Sequence, residues 1–310
     1  MGMRKPKPEF PCKVGGKPAV NLVNYKQRGG ETMEQPNYEQ RGYLHEEFRL
    51  FHLRGPMEET VDWHYHTFHK IIVFLSGSAS YGIEGRTYPL QPGDMVLVSR
   101  GCIHRPEAAP GAPYERMILY ISPEFLRQNS TDGCELETCF SLARTQFDFV
   151  VRPGTRKKEL LDILRALERA CAVPDFGQAL LAKGLFWQFL VQLIRGMRAH
   201  DLSYAQPGAE DEKIVAILRY LSAHLTENIS IDDLAARFFI SKYHMMRRFR
   251  AETGYTIHNY LITKRLLLAR ELIAGGMPVT QACYACGFGD YSAFSRAYRR
   301  QFGQPPSACK

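Results

Sequence analysis

No run of about 20 apolar residues occurs in the 310-residue chain, so no membrane-spanning helix is expected. The opening stretch MGMRKPKPEFPCKVGG is basic but lacks an apolar core segment, so it does not read as a secretory signal. Cysteine is sparse and scattered, at 12, 102, 134, 139, 171, 283, 286 and 309. A secreted disulfide scaffold is shorter and denser in cysteine, so reduced thiols in the cytoplasm are expected. Cys283 and Cys286 form a C-x-x-C, but no second Cys/His pair accompanies them. Small apolar packing on one helix face is the expectation there. Residues 1–239 also lack net charge, with 29 Lys/Arg against 29 Asp/Glu. The whole excess of +8 sits in 240–310, which holds eleven Lys/Arg and three Asp/Glu. A solvated basic face is the plain explanation. An excess confined to one short segment points instead to a polyanion partner.

What is present suits two domains of an α+β chain, and 45% hydrophobic residues supply the cores. Residues 1–40 are polar, with Pro, Gly and Lys, and read as a flexible arm. From 44 to 122 the segments FRLFHL, KIIVFLSG, SASYGI, RTYPL, DMVLVS and ERMILYIS alternate with Gly, Pro and Asp turns. Short strands at this spacing predict a sandwich or barrel. From 123 to 200 the pattern turns helical. RKKELLDILRALERA (156–170) stripes Leu160, Leu161, Leu164 and Leu167. QALLAKGLFWQFLVQLIRGM (178–197) is apolar nearly all round, with Leu181, Leu185, Phe189, Gln192 and Leu193 along one seam. The barrel or a second subunit could cover so greasy a helix. DLSYAQPGA (201–209) loses periodicity and reads as a linker. Residues 41–200 are thus one expected domain and 210–310 the other.

The second domain contains a repeat. SKYHMMRRFRAETG (241–254) and DYSAFSRAYRRQFG (290–303) align on their last glycines. Met245 then falls on Phe294, Arg247 on Arg296, Phe249 on Tyr298 and Arg250 on Arg299. Each copy predicts a short helix with an apolar stripe and a basic face. Ser230 and Ser241 are N-cap residues of two helices, 231–238 and 241–252, joined by a tight turn. Gly254 ends the second of these. Thr256 then begins a helix of about 18 residues that stops at Gly275 and Gly276. At 1.5 Å per residue it spans roughly 27 Å. With the helix diameters added, that approaches the ~34 Å between successive major grooves on one face of B-DNA.

The residues R265-x3-A269-x2-L272-I273, then A285-x-G287-F288-x-D290-x-S292-x-F294-S295-R296-x5-F302-G303-x2-P306, resemble the AraC/XylS family of transcription regulators. The likeness spans about 100 residues. Cys283, the ending P-S-A-C-K and Met246 depart from the family's usual residues. Upstream, His64-Tyr65-His66, Gly77, the Pro92-Gly93-Asp94 turn and His104 resemble the cupin jelly roll over about 60 residues. Metal-binding cupins have a Glu where this chain has Lys70, and an ammonium opposes a cation. No metal and no cofactor are therefore expected.

The resemblance implies that Lys242, Tyr243, Met246 and Arg247 of the first recognition helix face DNA bases. It implies the same for Tyr291, Ser292, Ser295 and Arg296 of the second. An arginine there can pair bidentately with guanine. Arg248, Arg250, Arg299 and Arg300 are expected on phosphates. An effector pocket in the barrel is implied, with Trp63, His64, His66, Lys70, Tyr81 and His104 as candidate lining. The implied partners are double-stranded DNA, a small-molecule effector, a second copy of the chain and RNA polymerase, with no membrane. A metal-dependent cupin enzyme with an appended DNA-binding domain, and an architectural DNA-binding protein without effector, are the alternatives. Lys70 argues against the first and the sensor-like domain against the second.

Overall fold

A computed structural model of the chain describes residues 39–40, 42, 44–57, 61–109, 111–172, 174–208 and 211–308. The arm expected over 1–40 lies outside the described residues except for β1 (Glu39–Gln40). The fold is α+β, with a sheet-rich cupin-like N-terminal half and a helical C-terminal half.

Two sheets face each other in the N-terminal half. The strands are β2 (Phe48–Leu53), β3 (His64–Tyr65), β4 (His69–Gly77), β5 (Ala79–Ile83), β6 (Arg86–Pro89), β7 (Met95–Val98), β8 (His104–Ala108) and β9 (Tyr114–Ile121). Helices α1 (Pro123–Asn129) and α2 (Thr138–Gln146) follow, then β10 (Val150–Arg152), α3 (Lys157–Ala172), α4 (Gln178–Arg198) and β11 (Ser203–Tyr204). One sheet runs β1-β3-β8-β5-β6 and the other β11-β10-β7-β4-β9-β2. Strand β4 reads HKIIVFLSG and is buried over His69–Phe74, as a central strand covered on both faces must be. The Pro-Gly-Asp turn is held by Asp94, whose carboxylate accepts from Gln91 N (2.8 Å) and from Arg152 Nε and Nη2 (2.9 Å each).

Several features depart from the sequence reading. The stretch 123–200 contains β10, a β-branched run entered after Phe147, which closes α2 at φ +61°. The expected linker is partly strand. Residues 203–204 pair with β10, Ala205 N donates to Val150 O (2.9 Å), and Gly208 N donates to Thr87 O (2.8 Å). On α4, Phe189 and Leu193 are buried and Leu185 and Gln192 half-buried, but Leu181 stays exposed beside Leu180 and Phe176. The buried face is instead Ala182, Phe186, Phe189, Leu190, Leu193, Ile194 and Met197, set by packing of α4 on α3 and α2.

The C-terminal half comprises α5 (Glu212–Ala223), α6 (Ile231–Arg237), α7 (Lys242–Thr253), α8 (Ile257–Ala274), α9 (Val279–Ala285) and α10 (Tyr291–Phe302). Each recognition segment begins at a side-chain cap. Ser230 Oγ accepts from Asp233 N, Ser241 Oγ from His244 N, Thr256 Oγ1 from Asn259 N and Asp290 Oδ1 from Ala293 N. Helices α7 and α10 both end on a left-handed glycine, Gly254 and Gly303. Cys283 and Cys286 are buried, as expected of packing residues, and the six described cysteines outside the masked ends are all free thiols.

The two helical units do not share one core. Met245, Phe249, Tyr260 and the apolar face of α5 belong to a cluster continuous with the barrel. Leu266, Ala269, Ile273, Cys283, Phe294 and Tyr298 form a second, smaller cluster around α9 and α10. The seal between barrel and helices is made at the β5–β6 turn. Glu84 and Gly85 take φ +46° and +78°, the paired positive values of a two-residue hairpin loop, which suits Gly85. A Cβ on Gly85 would come within 2.4 Å of Leu218 Cδ1, so α5 packs directly on the turn. Glu84 is buried, and its carboxylate accepts from Ile103 N (2.8 Å), Tyr260 Oη (2.7 Å) and Lys264 Nζ (2.5 Å).

Candidate functional site

Strand pairing decides which candidate residues meet inside the barrel. His64 lies opposite His104, and His104 opposite Ile83, so these side chains share one face with Tyr81, two residues before Ile83. His64, His66 and His104 are buried, and their ring centroids are 4.3–5.0 Å apart. One nitrogen from each lies within 4.8 Å of the others. His64 Nδ1 sits 2.8 Å from Asp62 O, and His104 Nδ1 2.9 Å from Cys102 O. A carbonyl only accepts, so Nδ1 carries the proton in both rings and Nε2 keeps its lone pair. Tyr81 is buried with its ring stacked 5.9 Å from His104, and neither Tyr81 Oη nor His104 Nε2 has a hydrogen-bond partner among the described residues.

Lys70 belongs to the same interior, with Nζ 5.9 Å from the Tyr120 ring, which also neighbours His66. Burial pushes its amine down to about 7, helped by the nearby Arg116 guanidinium. Burial, then the proximity of the ionisable His64, Lys70 and His66, holds His104 well below the usual histidine range, so it stays neutral. Burial likewise holds the Tyr81 hydroxyl well above its ordinary value.

Trp63 is not part of this interior. Gly82 and Arg105 face each other across β5 and β8 on the opposite side of the sheet from Tyr81 and His104. The indole lies there, with Arg105 stacked 4.7 Å over it and a Cβ on Gly82 within 2.8 Å of its Cη2. A Cβ on Gly254 would come within 2.6 Å of Cδ1. Trp63 therefore wedges between the barrel and the end of α7, and its expected role in lining an effector pocket is corrected. Strand alternation turns its neighbour His64 inward and Trp63 outward.

On the side expected to face DNA, Tyr243, Met246, Arg247 and Arg250 fall at i, i+3, i+4 and i+7 along α7, and all are exposed. Ser292, Ser295, Arg296 and Arg299 repeat this stripe on α10, with Ser295 half-buried and the others exposed. Tyr291 and Arg300 flank it and are also exposed, as Lys242 is on α7. Lys242 reaches back to Asp232 (2.8 Å). Met245 and Phe249 on α7, and Phe294 and Tyr298 on α10, are buried, so both exposed stripes point away from the core.

Arg248 does not join them. Its Nε donates to Asp211 (3.0 Å) and its Nη2 pairs with Glu252 (3.2 Å). It stands on the flank of α7 turned towards α5, where Asp211 is also the N-cap. Its counterpart on α10 is the buried Ala297. The expected phosphate contact of Arg248 is corrected to an interhelix tie.

Pattern alone also left the role of Arg265 unspecified. Its guanidinium donates to Leu225 O (2.8 Å), Glu227 O (2.5 Å) and Gly287 O (2.9 Å). It thus bolts the loop after α5 to the turn before α10. Its place in the family motif was the signal available beforehand.

The profile of the AraC-like ligand binding domain matches residues 47–190, and that of a helix-turn-helix domain matches 234–310. The chain belongs to the AraC family of transcription regulators. It is similar to the probable transcriptional regulator LumQ of Photobacterium leiognathi, 25% identical over 81% of this chain and 92% of that one. It is also similar to the transcriptional activator RhaS of Yersinia pestis (strain Pestoides F), 27% identical over 78% of this chain and 86% of that one. Among solved structures, a probable AraC family transcriptional regulator from Rhodopseudomonas palustris CGA009 is 29% identical over 32% of this chain and 94% of that one, with a TM-score of 0.30. This AraC-family chain is therefore a DNA-binding transcription regulator with a ligand-binding domain. No helix among its described residues is long and apolar enough to cross a membrane.

Proposed function

We propose that the chain is a sequence-specific regulator whose two recognition helices read adjacent major grooves and whose barrel takes a small polar effector. The carrying observation is the pair of matched exposed stripes on α7 and α10, joined by the 18-residue α8. Arg247 and Arg296 read bases, while Arg250, Arg299 and Arg300 hold phosphates. Tyr243, Met246, Tyr291, Ser292 and Ser295 differ between the heads, so each subunit reads an asymmetric half-site, with Lys242 at the entry of α7. Buried polar atoms of His64, His66, Lys70, Tyr81 and His104 support the barrel interior as the effector's contact. The sensing and dimerising unit runs from 41 to 200, with the DNA-binding unit from 210 to 310. The exposed Phe176, Leu180 and Leu181 at the start of α4 support a homodimer. Such a regulator works in the cytoplasm alongside RNA polymerase. The test is selection of duplexes from a random pool by the full-length protein, followed by gel-shift titration of the recovered sequence. A shared motif with two unlike halves one helical turn apart is expected. Equal affinity for selected and scrambled duplexes would overturn the reading.

A further inference from the structure

Lys70 places an amine inside the barrel with no anion to hold it. We propose that Lys70 captures a short open-chain hydroxyaldehyde as an imine, with Tyr81 and His104 holding its oxygen atoms. The inference rests on the reading of the barrel interior as the effector's contact and names the effector's chemical class.

Strand alternation aims the amine inward. On β4, His69 turns to α2, its ring stacked 4.2 Å from Phe140 and its Nε2 3.3 Å from Glu137. Lys70 is the next residue and so faces the barrel interior, in register with Tyr120 of β9 and Val98 of β7. Its Nζ stands 5.9 Å from the Tyr120 ring, and the His66 ring of β3 lies 5.8 Å from the same ring. Arg116 of β9 and His104 of β8 are close enough to act on it electrostatically. No carboxylate among the described residues does so, and the Arg116 guanidinium repels the ammonium form. Ile72 and Phe74 share this face of β4 and are apolar and buried, so packing alone asks for no amine here. Burial leaves the amine neutral above about pH 7, with its lone pair available to a carbonyl carbon.

Two further groups complete the cluster. Tyr81 and His104 are at most 1% exposed, and neither Tyr81 Oη nor His104 Nε2 has a hydrogen-bond partner among the described residues. Polar atoms buried so are costly until a ligand satisfies them. Burial keeps the proton on the Tyr81 hydroxyl, which can donate to a carbonyl oxygen. Cys102 O holds the His104 proton on Nδ1 (2.9 Å), so Nε2 accepts, and a ligand hydroxyl supplies what it accepts. The cluster therefore asks for a carbonyl group with a hydroxyl nearby. A closed sugar ring offers no free carbonyl, and histidine rings 4.3–5.0 Å apart favour a short chain.

The step balances without oxidant or reductant. Lys70 Nζ attacks the carbonyl carbon, a C–N bond forms, and the C=O π pair moves to oxygen. That oxygen takes the Tyr81 proton, and Tyr81 recovers one from the nitrogen. The hydroxyl then leaves as water with the second amine hydrogen, and C=N remains.

The experiment mixes full-length protein with D-glyceraldehyde and reduces it with sodium borohydride, which fixes an imine as a stable amine. Peptide mass mapping then locates the adduct. At pH 7.5 Lys70 should be labelled at least about tenfold faster than any other lysine, since exposed amines titrate near 10.4. Labelling of Lys70 no faster than the rest overturns the capture, and that readout needs no variant. Tyr81→Phe should label more slowly, and an unchanged rate overturns the part given to Tyr81. Affinity for the selected duplex is then measured by fluorescence anisotropy with glyceraldehyde and with glycerol, which lacks the carbonyl. A change of at least about fivefold is expected with glyceraldehyde, within the usual range of allosteric coupling. None is expected with glycerol, or with glyceraldehyde on Lys70→Met. An equal response to glycerol sinks the imine and leaves the polar-effector reading standing. Labelled Lys70 with unchanged DNA affinity sinks the effector reading, while the capture stands.

Discussion

Arg247 and Arg248 are neighbours in sequence with different fates, and the difference is one of angle. Arg247 lies on the exposed stripe of α7, and Arg248 turns to the carboxylates of Asp211 and Glu252. Arg296→Ala, the matched change on α10, should cost roughly 1–3 kcal/mol on the selected duplex and relax its sequence preference. Arg248→Ala should leave the salt dependence of DNA binding unchanged and lower folding stability by under about 1 kcal/mol, as for other partly exposed ion pairs. Gel-shift titrations at several salt concentrations separate the two, and a reduced salt slope for Arg248→Ala would refute its placement. Lys70 supplies a pH dependence. Its amine titrates near 7 in the fold and near 10.5 when unfolded. Between those values the unfolded chain binds the proton and the folded chain does not, so stability rises with pH across that window and is lowest below 7. Lys70→Met should flatten this slope in denaturant titrations at pH 6, 7.5 and 9. An unchanged slope would assign the pH dependence to other groups.

Among the elements, the helices and the longer strands were legible, and the shortest strands, made by pairing alone, were not. Ser230 and Ser241, read as caps from the chain, and also Thr256 and Asp290, accept hydrogen bonds from the backbone three residues ahead. The apolar stripes of α3, α7 and α10 were read the same way. Strands β3 and β11 span two residues each, too short for alternation to register. Strand β8 reads HRPEA and owes its strandness to β5, not to β propensity. Trp63 was misplaced for a related reason. Its contact with Gly254 crosses 191 positions of sequence, and no local pattern encodes it. The β5–β6 turn ties the barrel to α8 through Glu84. Glu84→Ala would remove the acceptor shared by Ile103 N, Tyr260 and Lys264, leaving Lys264 with Gly101 O, and the loss should be roughly 1–3 kcal/mol. Thermal melts of Glu84→Ala and of Glu84→Gln test it. Glu84→Gln keeps an acceptor and should lose less, so an equal loss in both would argue against the hydrogen-bond account.

At the scale of the molecule, the first helix-turn-helix unit shares the barrel's core and the second does not. Native-state hydrogen exchange should therefore show α9 and α10 opening at lower free energy than α7. Matching protection of α7 and α10 amides would show that Arg265 and Phe302 weld the two clusters into one cooperative unit. Phe302 packs on both, which is why the comparison is informative.

The β5–β6 turn also bears on how such a chain could be recombined. A sensor swap cut at 201–209 would separate Glu84 from Tyr260 and Lys264, Gly85 from Leu218, and Trp63 from Gly254. Each graft would then inherit a socket without its plug. The workable splice lies further on, within α8 beyond Lys264. There the second reading head changes hands, provided the graft keeps Gln301 for Tyr65 and Glu271 for Arg100.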